Sequence, residues 1–381
     1  MGWASSIAGV LSLASLAGLV YQLMAARQLR RFMMEPRICP ELRPSVTVLK
    51  PLCGDEPGLA DNLSSVCRQD YPLFQVLCGV ADQDDAALGV VARVKAEQPD
   101  HAPELVIDGR RHGCNLKVGN LLNMLPQARH EVIVIADSDV QVEPRYLDDV
   151  VAPLADPAVG LVTCLYVGRP AGGLYSRLGA LGINHGFLPS ALVARALGRH
   201  DGCFGATMAL RRTVLDQIGG LGPLADVLAD DWALGAAVRR SGWKIALTSR
   251  PVDLLVHEPD FKALLAHEVR WGRTIAAVDR PSYVASVITQ PVALGLLAAL
   301  FGGLPYLAVA AGAAAGRLWA VRAEERALGL ARASLAILGL REILNFVVFV
   351  IACCGRSVLW RGKRFRIRRD GTLELVEGIS S

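Results

Sequence analysis

Hydrophobic positions divide the chain into three stretches. Residues Trp3 to Ala26 are apolar, interrupted only by Ser and by Gln22, about the length that crosses a bilayer. From Met33 to about Pro281 no apolar run is long enough to span. Short runs there alternate with helical patterns. Ser45–Leu49, Gln75–Val80, Glu104–Ile107 and Glu131–Ala136 read as strands, and Gly58–Arg68, Ala86–Glu97 and a segment from about Leu116 as helices. This βαβα order predicts a mostly parallel, Rossmann-like sheet covered by helices on both faces. Beyond Pro281, Tyr283–Ala315 and Leu328–Cys354 are again long and apolar, separated by the charged Arg317–Arg326. Gly302-Gly303-Leu304-Pro305 offers the first of them a bend into a re-entrant pair, and Arg341-Glu342 interrupts the second, where the expected position is the membrane interface.

The pattern predicts an N-terminal anchor (1–32), a globular domain (33–281), two C-terminal spanning helices (282–355) and a basic tail (356–381). A hydrophobic content of 52% and a mean hydropathy of +0.35 agree with part of the chain lying in lipid. Arg27, Arg30, Arg31 and Arg37 follow the anchor and nothing positive precedes it, the reverse of a secretory signal peptide. The positive-inside rule then sets the domain and the tail in the cytoplasm, with three spans in the membrane. The net charge of +4 gathers beside the apolar segments, which points to a membrane surface and anionic head groups, not to nucleic acid. Nine cysteines without a C-x-x-C give no disulfide or zinc framework, and Cys353-Cys354 reads as apolar filler.

The candidate chemistry begins where the strand Glu131–Ala136 runs into Asp137-Ser138-Asp139. Ligands collect at that edge of an open α/β sheet. Two carboxylates at i and i+2 on extended chain point to one side, where they suit a hard divalent cation, Mg²⁺ or Mn²⁺, that also grips a diphosphate. Asp-x-Asp is common at strand ends, so context has to support it. Asp82-Gln83-Asp84-Asp85 closes the second strand on the same edge, suited to a ribose or uracil, or, through Asp84 or Asp85, to a helix N-cap. Asn115-x-Lys117-x-x-Asn120 opens a helix, placed for phosphate oxygens or for simple capping. Asp230-Asp231 opens another, where the positive helix end favours an ionised carboxylate and Asp231 suits a general base; an N-cap is the plainer role. His267-x-x-Arg270-Trp271 closes a helical stretch before the membrane segments. Arg270 there suits a diphosphate and Trp271 a sugar face, or both belong to a basic interfacial helix. No G-x-G-x-x-G follows the first strand, where Lys50-Pro51-Leu52-Cys53-Gly54 stands instead, which argues against a dinucleotide site.

Lys50-Pro51-Leu52, Asp82–Asp85, Asn115-Leu116-Lys117, Asp137-Ser138-Asp139, Gly219-Gly220-Leu221, Ala229–Trp232 and His267-x-x-Arg270-Trp271, in this order, resemble the ceramide glucosyltransferase family, including its hopanoid-biosynthesis branch. The resemblance runs from the first apolar segment to the basic stretch Trp360–Arg369. It implies a GT-A-type domain that uses a UDP-sugar and a divalent metal to glycosylate a membrane lipid with inversion. By position Asp85, Asp137 and Asp231 match the family's three aspartates, Asp231 as base, and Arg270 and Trp271 match the end of its R-W motif. Asp82, Asp84, Asn115, Lys117 and His267 join the expected UDP-sugar contacts, and Asp137 and Asp139 the expected metal ligands. His267 stands where ceramide members carry Gln or Arg. It directs the expectation to UDP-N-acetylglucosamine and bacteriohopanetetrol, with UDP-glucose and ceramide as the alternative. A processive polysaccharide synthase would need more spans after the R-W pair, and a non-catalytic UDP-binding membrane protein would not need every carboxylate.

Overall fold

The computed structural model describes residues 2–355, 357–360, 363–368 and 372–376. They form two compact units, one of Glu35–Gly172 with Arg199–His257, the other of the chain before Glu35, Gly173–Gly198 and the chain from Glu258 onward.

The first unit is built on strands β1 (Val46–Pro51), β2 (Phe74–Val80), β3 (Glu104–Ile107), β4 (Val132–Ala136), β5 (Val140–Gln141), β6 (Val159–Thr163), β7 (Tyr166–Pro170), β8 (Thr207–Arg211), β9 (Lys244–Leu247) and β10 (Val252–Val256). Seven make one sheet in the order β3-β2-β1-β4-β8-β6-β9. β1, β2, β3 and β4 run parallel, and β8 alone reverses, pairing antiparallel with β4 and β6. Val132–Ala136 is buried at every position, as a continuous β-branched run in a covered sheet should be. Leu49, Leu77, Ile133, Ile135, Met208 and Leu210 from four adjacent strands pack with Leu121 and Met124 of the helix Leu116–Met124 in one core. β5, β10 and β7 make a second, three-stranded sheet just beyond the Asp137–Asp139 turn.

The second unit is mainly helical. Among the described residues, three of its helical segments are long and apolar enough to cross a membrane, Trp3–Met34, Leu304–Ala327 and Leu335–Cys353. The predicted span Tyr283–Ala315 is not one helix. It is divided into Arg280–Thr289 and Pro291–Gly302, bent by 75°, and then turns at Gly303. Gly303 has φ of 80°, a left-handed conformation that a side chain resists. The charged Arg317–Arg326, expected as a connection, lies within the helix Leu307–Ala327. Small residues let the helices meet: a Cβ on Gly316 would come within 2.2 Å of Leu19, and one on Gly18 within 2.2 Å of the Ile288 carbonyl. Gly173–Gly198 and the helix Phe261–Val278, both inside the range 33–281 expected for the globular domain, belong to this unit.

Arg341 and Glu342 each turn inward to a different protein partner. Arg341 is 6% exposed and meets Glu268 with a second contact of 3.0 Å, Asn345 at 2.8 Å and the Leu178 carbonyl at 3.0 Å. Glu342 accepts from Nε of the buried Arg317 at 3.0 Å, whose other nitrogens reach Gln22 and the His185 carbonyl, both at 2.8 Å. Burial at these positions requires such pairing.

After the last apolar helix come three short antiparallel strands, β11 (Ser357–Trp360), β12 (Lys363–Ile367) and β13 (Leu373–Leu375). The sequence pattern predicts only a basic tail here. Arg356, Arg361 and Arg369, which belong to that tail, lie outside the described residues.

Candidate functional site

The chain leaves β4 at Ala136 and turns through Asp137-Ser138-Asp139 into β5. β1 and β2 are parallel to β4, so the carboxyl ends of all three share one edge of the sheet. Lys50, near the end of β1, is completely buried. Its Nζ donates to the carbonyl oxygens of Asp137 at 2.7 Å and Val140 at 3.2 Å. The turn is held on its other side by Ser138, whose hydroxyl donates to Glu56 at 2.5 Å and whose carbonyl accepts from Asn62 at 3.1 Å. Burial pulls the Lys50 pKa down to about 8, with Asp139 opposing.

Three further groups surround the turn. Lys117 Nζ lies 2.6 Å from Asp137 Oδ1 and 3.6 Å from Asp230 Oδ2, so one cation joins the two acidic motifs. Burial works against its charge, but Asp137 and Asp230 outweigh it and hold the lysine well above its ordinary value. Burial, then the charges of Asp137 and Glu56, pushes Asp139 up to about 7. The phenol of Tyr166, at the start of β7, is kept protonated by burial and by Asp231, Asp139 and Asp137 around it.

Asp231 stands in the first turn of the helix Asp230–Arg240. Its Oδ2 accepts the Gly205 N–H at 3.0 Å and its Oδ1 the Trp232 N–H at 2.7 Å. The helix end was expected to favour its ionisation. Instead burial, and next the adjacent Asp230, push it up to about 6, against the pull of the Trp232 N–H and Lys117. Desolvation with a like charge alongside outweighs the helix dipole here. A carboxyl with that pKa is half ionised near pH 6 and mostly ionised at neutrality, a pKa close to the operating pH as suits a general base.

The remaining residues named from sequence divide. Asn115 was expected to contact phosphate, but it is buried and its side chain is occupied within the protein. Its Oδ1 accepts from Lys117 N and Val118 N, both at 3.1 Å, and its Nδ2 donates to the Val227 carbonyl at 2.8 Å. It is the cap of its helix and the tether of the segment before Asp230. Asn120 likewise donates to the Gly79 carbonyl at 2.8 Å. Asp85 accepts from Gly54 N and Ala87 N, both at 2.8 Å, and so ties the end of β1 to the start of the next helix. Asp82 accepts from Asp84 N at 3.1 Å, and both are exposed in the loop after β2. His267, Arg270 and Trp271 lie inside the helix Phe261–Val278 of the other unit. There Glu258 meets His267 Nδ1 at 2.7 Å and the imidazole packs edge-on against Trp271, with ring centres 4.5 Å apart. Sequence reasoning missed Lys50 except as part of a motif, and missed Tyr166 altogether. A lysine ending the apolar run Val46–Leu49 was the available signal, since lysine is rarely buried without a partner.

The donor set fits a hard divalent ion in part. Asp139 Oδ1 is buried and has no hydrogen-bond partner, an uncompensated carboxylate atom of the kind a cation satisfies. Among the described residues no three His, Cys, Asp or Glu side chains gather as a metal cluster. Among the described residues Asp137 and Asp139 are the carboxylates on this turn that could hold such an ion, and a diphosphate and water would complete the shell, as oxygen-preferring ions allow.

The model of glycosyl transferase family 21 matches residues 10–373. The chain belongs to this family. Ceramide glucosyltransferase 1 of Caenorhabditis elegans is 25% identical over 267 residues, covering 69% of this chain and 56% of that protein. Ceramide glucosyltransferase 3 of the same organism is 24% identical over 237 residues, 60% and 50% of the two chains. The chain thus spans about half the length of the curated relatives it matches. Among solved structures, a mannosyltransferase from Pyrobaculum calidifontis in complex with GDP-Man and Mn²⁺ superposes with a TM-score of 0.54 at 23% identity, covering 92% of this chain and 97% of that one. The family-21 chain has the GT-A-type fold that its motif order implies, with apolar helices at both ends.

Proposed function

We propose that this family-21 chain transfers one sugar from a UDP-sugar to a hydroxyl of a membrane lipid, with inversion, on the cytoplasmic side of a bacterial inner membrane. The observation that carries the reading is the joining of Asp137, Asp230 and the adjacent Asp231 through Lys117 at the carboxyl edge of the sheet. Asp231 takes the proton of the acceptor hydroxyl. Lys117 supplies positive charge to the phosphate oxygens, and Asp82, Asp84 and Asp85 lie on the loop after β2 that would border the nucleoside. Asp137 and Asp139 would hold Mg²⁺ or Mn²⁺; when bound, the ion supplies the charge that makes a nucleoside diphosphate a good leaving group. Arg270, Trp271 and His267 enter through the motif order, as groups for donor and acceptor. Lys50 keeps the Asp137–Asp139 turn in place throughout.

The substrates are also proposed. His267 favours N-acetylglucosamine passed to a hopanoid such as bacteriohopanetetrol, whereas the names of the relatives favour glucose passed to ceramide. An assay offering labelled UDP-glucose and UDP-N-acetylglucosamine to each lipid, with and without EDTA, decides. Labelling of one lipid that EDTA abolishes supports the reading and settles the pair. UDP binding with no labelled lipid would overturn the transfer reading for these acceptors.

A further inference from the structure

Within a few residues of the last apolar helix, which ends at Cys353, the chain folds into the sheet β11–β13. Its two faces are chemically opposite. Val358, Phe365, Ile367 and Leu373 are each 8% exposed or less, while Arg364, Arg366 and Arg368, alternating with Phe365 and Ile367 along β12, face outward. The register places Glu374 beside Arg366, and Glu374 pairs with Arg368 at 3.2 Å. The outward arginines thus outnumber the one acid on the described part of this face, and the surplus is positive. The sheet is also fastened in place. Arg273, on the same helix as Arg270 and Trp271, donates to the Ser357 carbonyl and lies 3.5 Å from that of Ile351. Gly355 makes room for it, since a Cβ there would come within 2.6 Å of the guanidinium.

We propose that the outward face of β11–β13 binds anionic phospholipid head groups of the bilayer that the apolar helices enter. Charge complementarity and direct continuity with the helix Leu335–Cys353 select this occupant, and the inference rests on the membrane reading of those helices. Strand alternation aims the arginines one way while the apolar face holds the sheet to the protein. An arginine near an anionic surface gains about fivefold in occupancy, so two or three make a platform that salt weakens.

The test is hydrogen exchange of residues 357–376 in the full chain, reconstituted into nanodiscs of phosphatidylcholine alone or with about one-third phosphatidylglycerol. Exchange slows severalfold in the anionic discs, the slowing fades in about 0.5 M salt, R364Q/R366Q abolishes it and R364K/R366K keeps it. Equal exchange in both discs, or slowing that survives R364Q/R366Q, would overturn the proposal. A chain that enters neither disc overturns the membrane reading, an outcome distinct from equal exchange in two loaded discs.

Discussion

Lys50 Nζ reaches the carbonyl oxygen of Asp137 across 2.7 Å with no exposure to solvent. A buried ammonium is costly unless its donors are used and its charge is matched. Here two carbonyls take the donors and Asp139 supplies the charge. Lys50→Met keeps the stem but removes both hydrogen bonds and the charge opposite Asp139, leaving the Asp137 carbonyl with the Val140 N–H at 3.3 Å. The expected loss is about 3–5 kcal/mol, read as a fall in thermal midpoint of roughly 10 °C. An unchanged midpoint would mean that the turn stands without the lysine.

Asp139 Oδ1, buried without a hydrogen-bond partner, is the atom that bears most directly on cation binding at this edge. Asp137→Ala and Asp139→Asn should each lower Mn²⁺-dependent UDP binding by about tenfold or more, measured by calorimetry with and without EDTA. The two should differ otherwise. Asp137→Ala frees Lys117 from its 2.6 Å ion pair, so residual metal-independent UDP binding is expected to be stronger in that variant. Metal dependence unaltered in both would remove the ion from this edge.

Much of this was legible because period and polarity act locally. The run Glu131–Ala136 with acids behind it marked the sheet edge, and the alternation of runs gave the parallel strands. What was not legible depends on packing between distant segments. An asparagine before a helix looks the same whether it faces a ligand or, as Asn115 does, the Val227 carbonyl. The rise of Asp231 to about 6 comes from burial and from Asp230, and the helix-end argument contains neither the depth nor the pair geometry. The turn at Gly303 had a local signal, the Gly302–Pro305 cluster that offered a re-entrant pair, whereas the 75° bend before Pro291 went unread because apolar length carries straight through it. The alternating Arg364-Phe365-Arg366-Ile367-Arg368 carried a strand signal that a count of basic residues passes over.

Arg317 is the shared partner of the helical unit, contacting Glu342, Gln22 and the His185 carbonyl while His185 meets Glu324 at 2.8 Å. Arg317→Met leaves Glu342 and Glu324, the latter 3.9 Å from the guanidinium, without their cation, at an expected cost of about 3–5 kcal/mol. Adding Glu342→Gln to that variant should recover part of the loss, because the charge left behind is then smaller. Thermal unfolding of wild type, Arg317→Met, Glu342→Gln and the double variant in one nanodisc composition checks this. Additive losses would show that Glu342 and Arg317 are not coupled.

Asp231 gives the most direct test of the reaction. As the base it acts only when ionised, and its pKa stands raised to about 6. The direction follows from that sign: transfer should be level above about pH 7 and fall roughly tenfold per pH unit below about 6, whereas an unshifted aspartate would stay active to near 4. Asp231→Asn should lower the rate by about a thousandfold or more while leaving UDP-sugar affinity within about threefold, since the loss then belongs to the transition state and not to donor binding. Rate against pH and donor affinity, both measured on wild type and Asp231→Asn, separate the roles. Loss of donor affinity in the variant, or a wild-type profile without the limb near 6, would make Asp231 a structural partner of Gly205 and the helix end instead of the base.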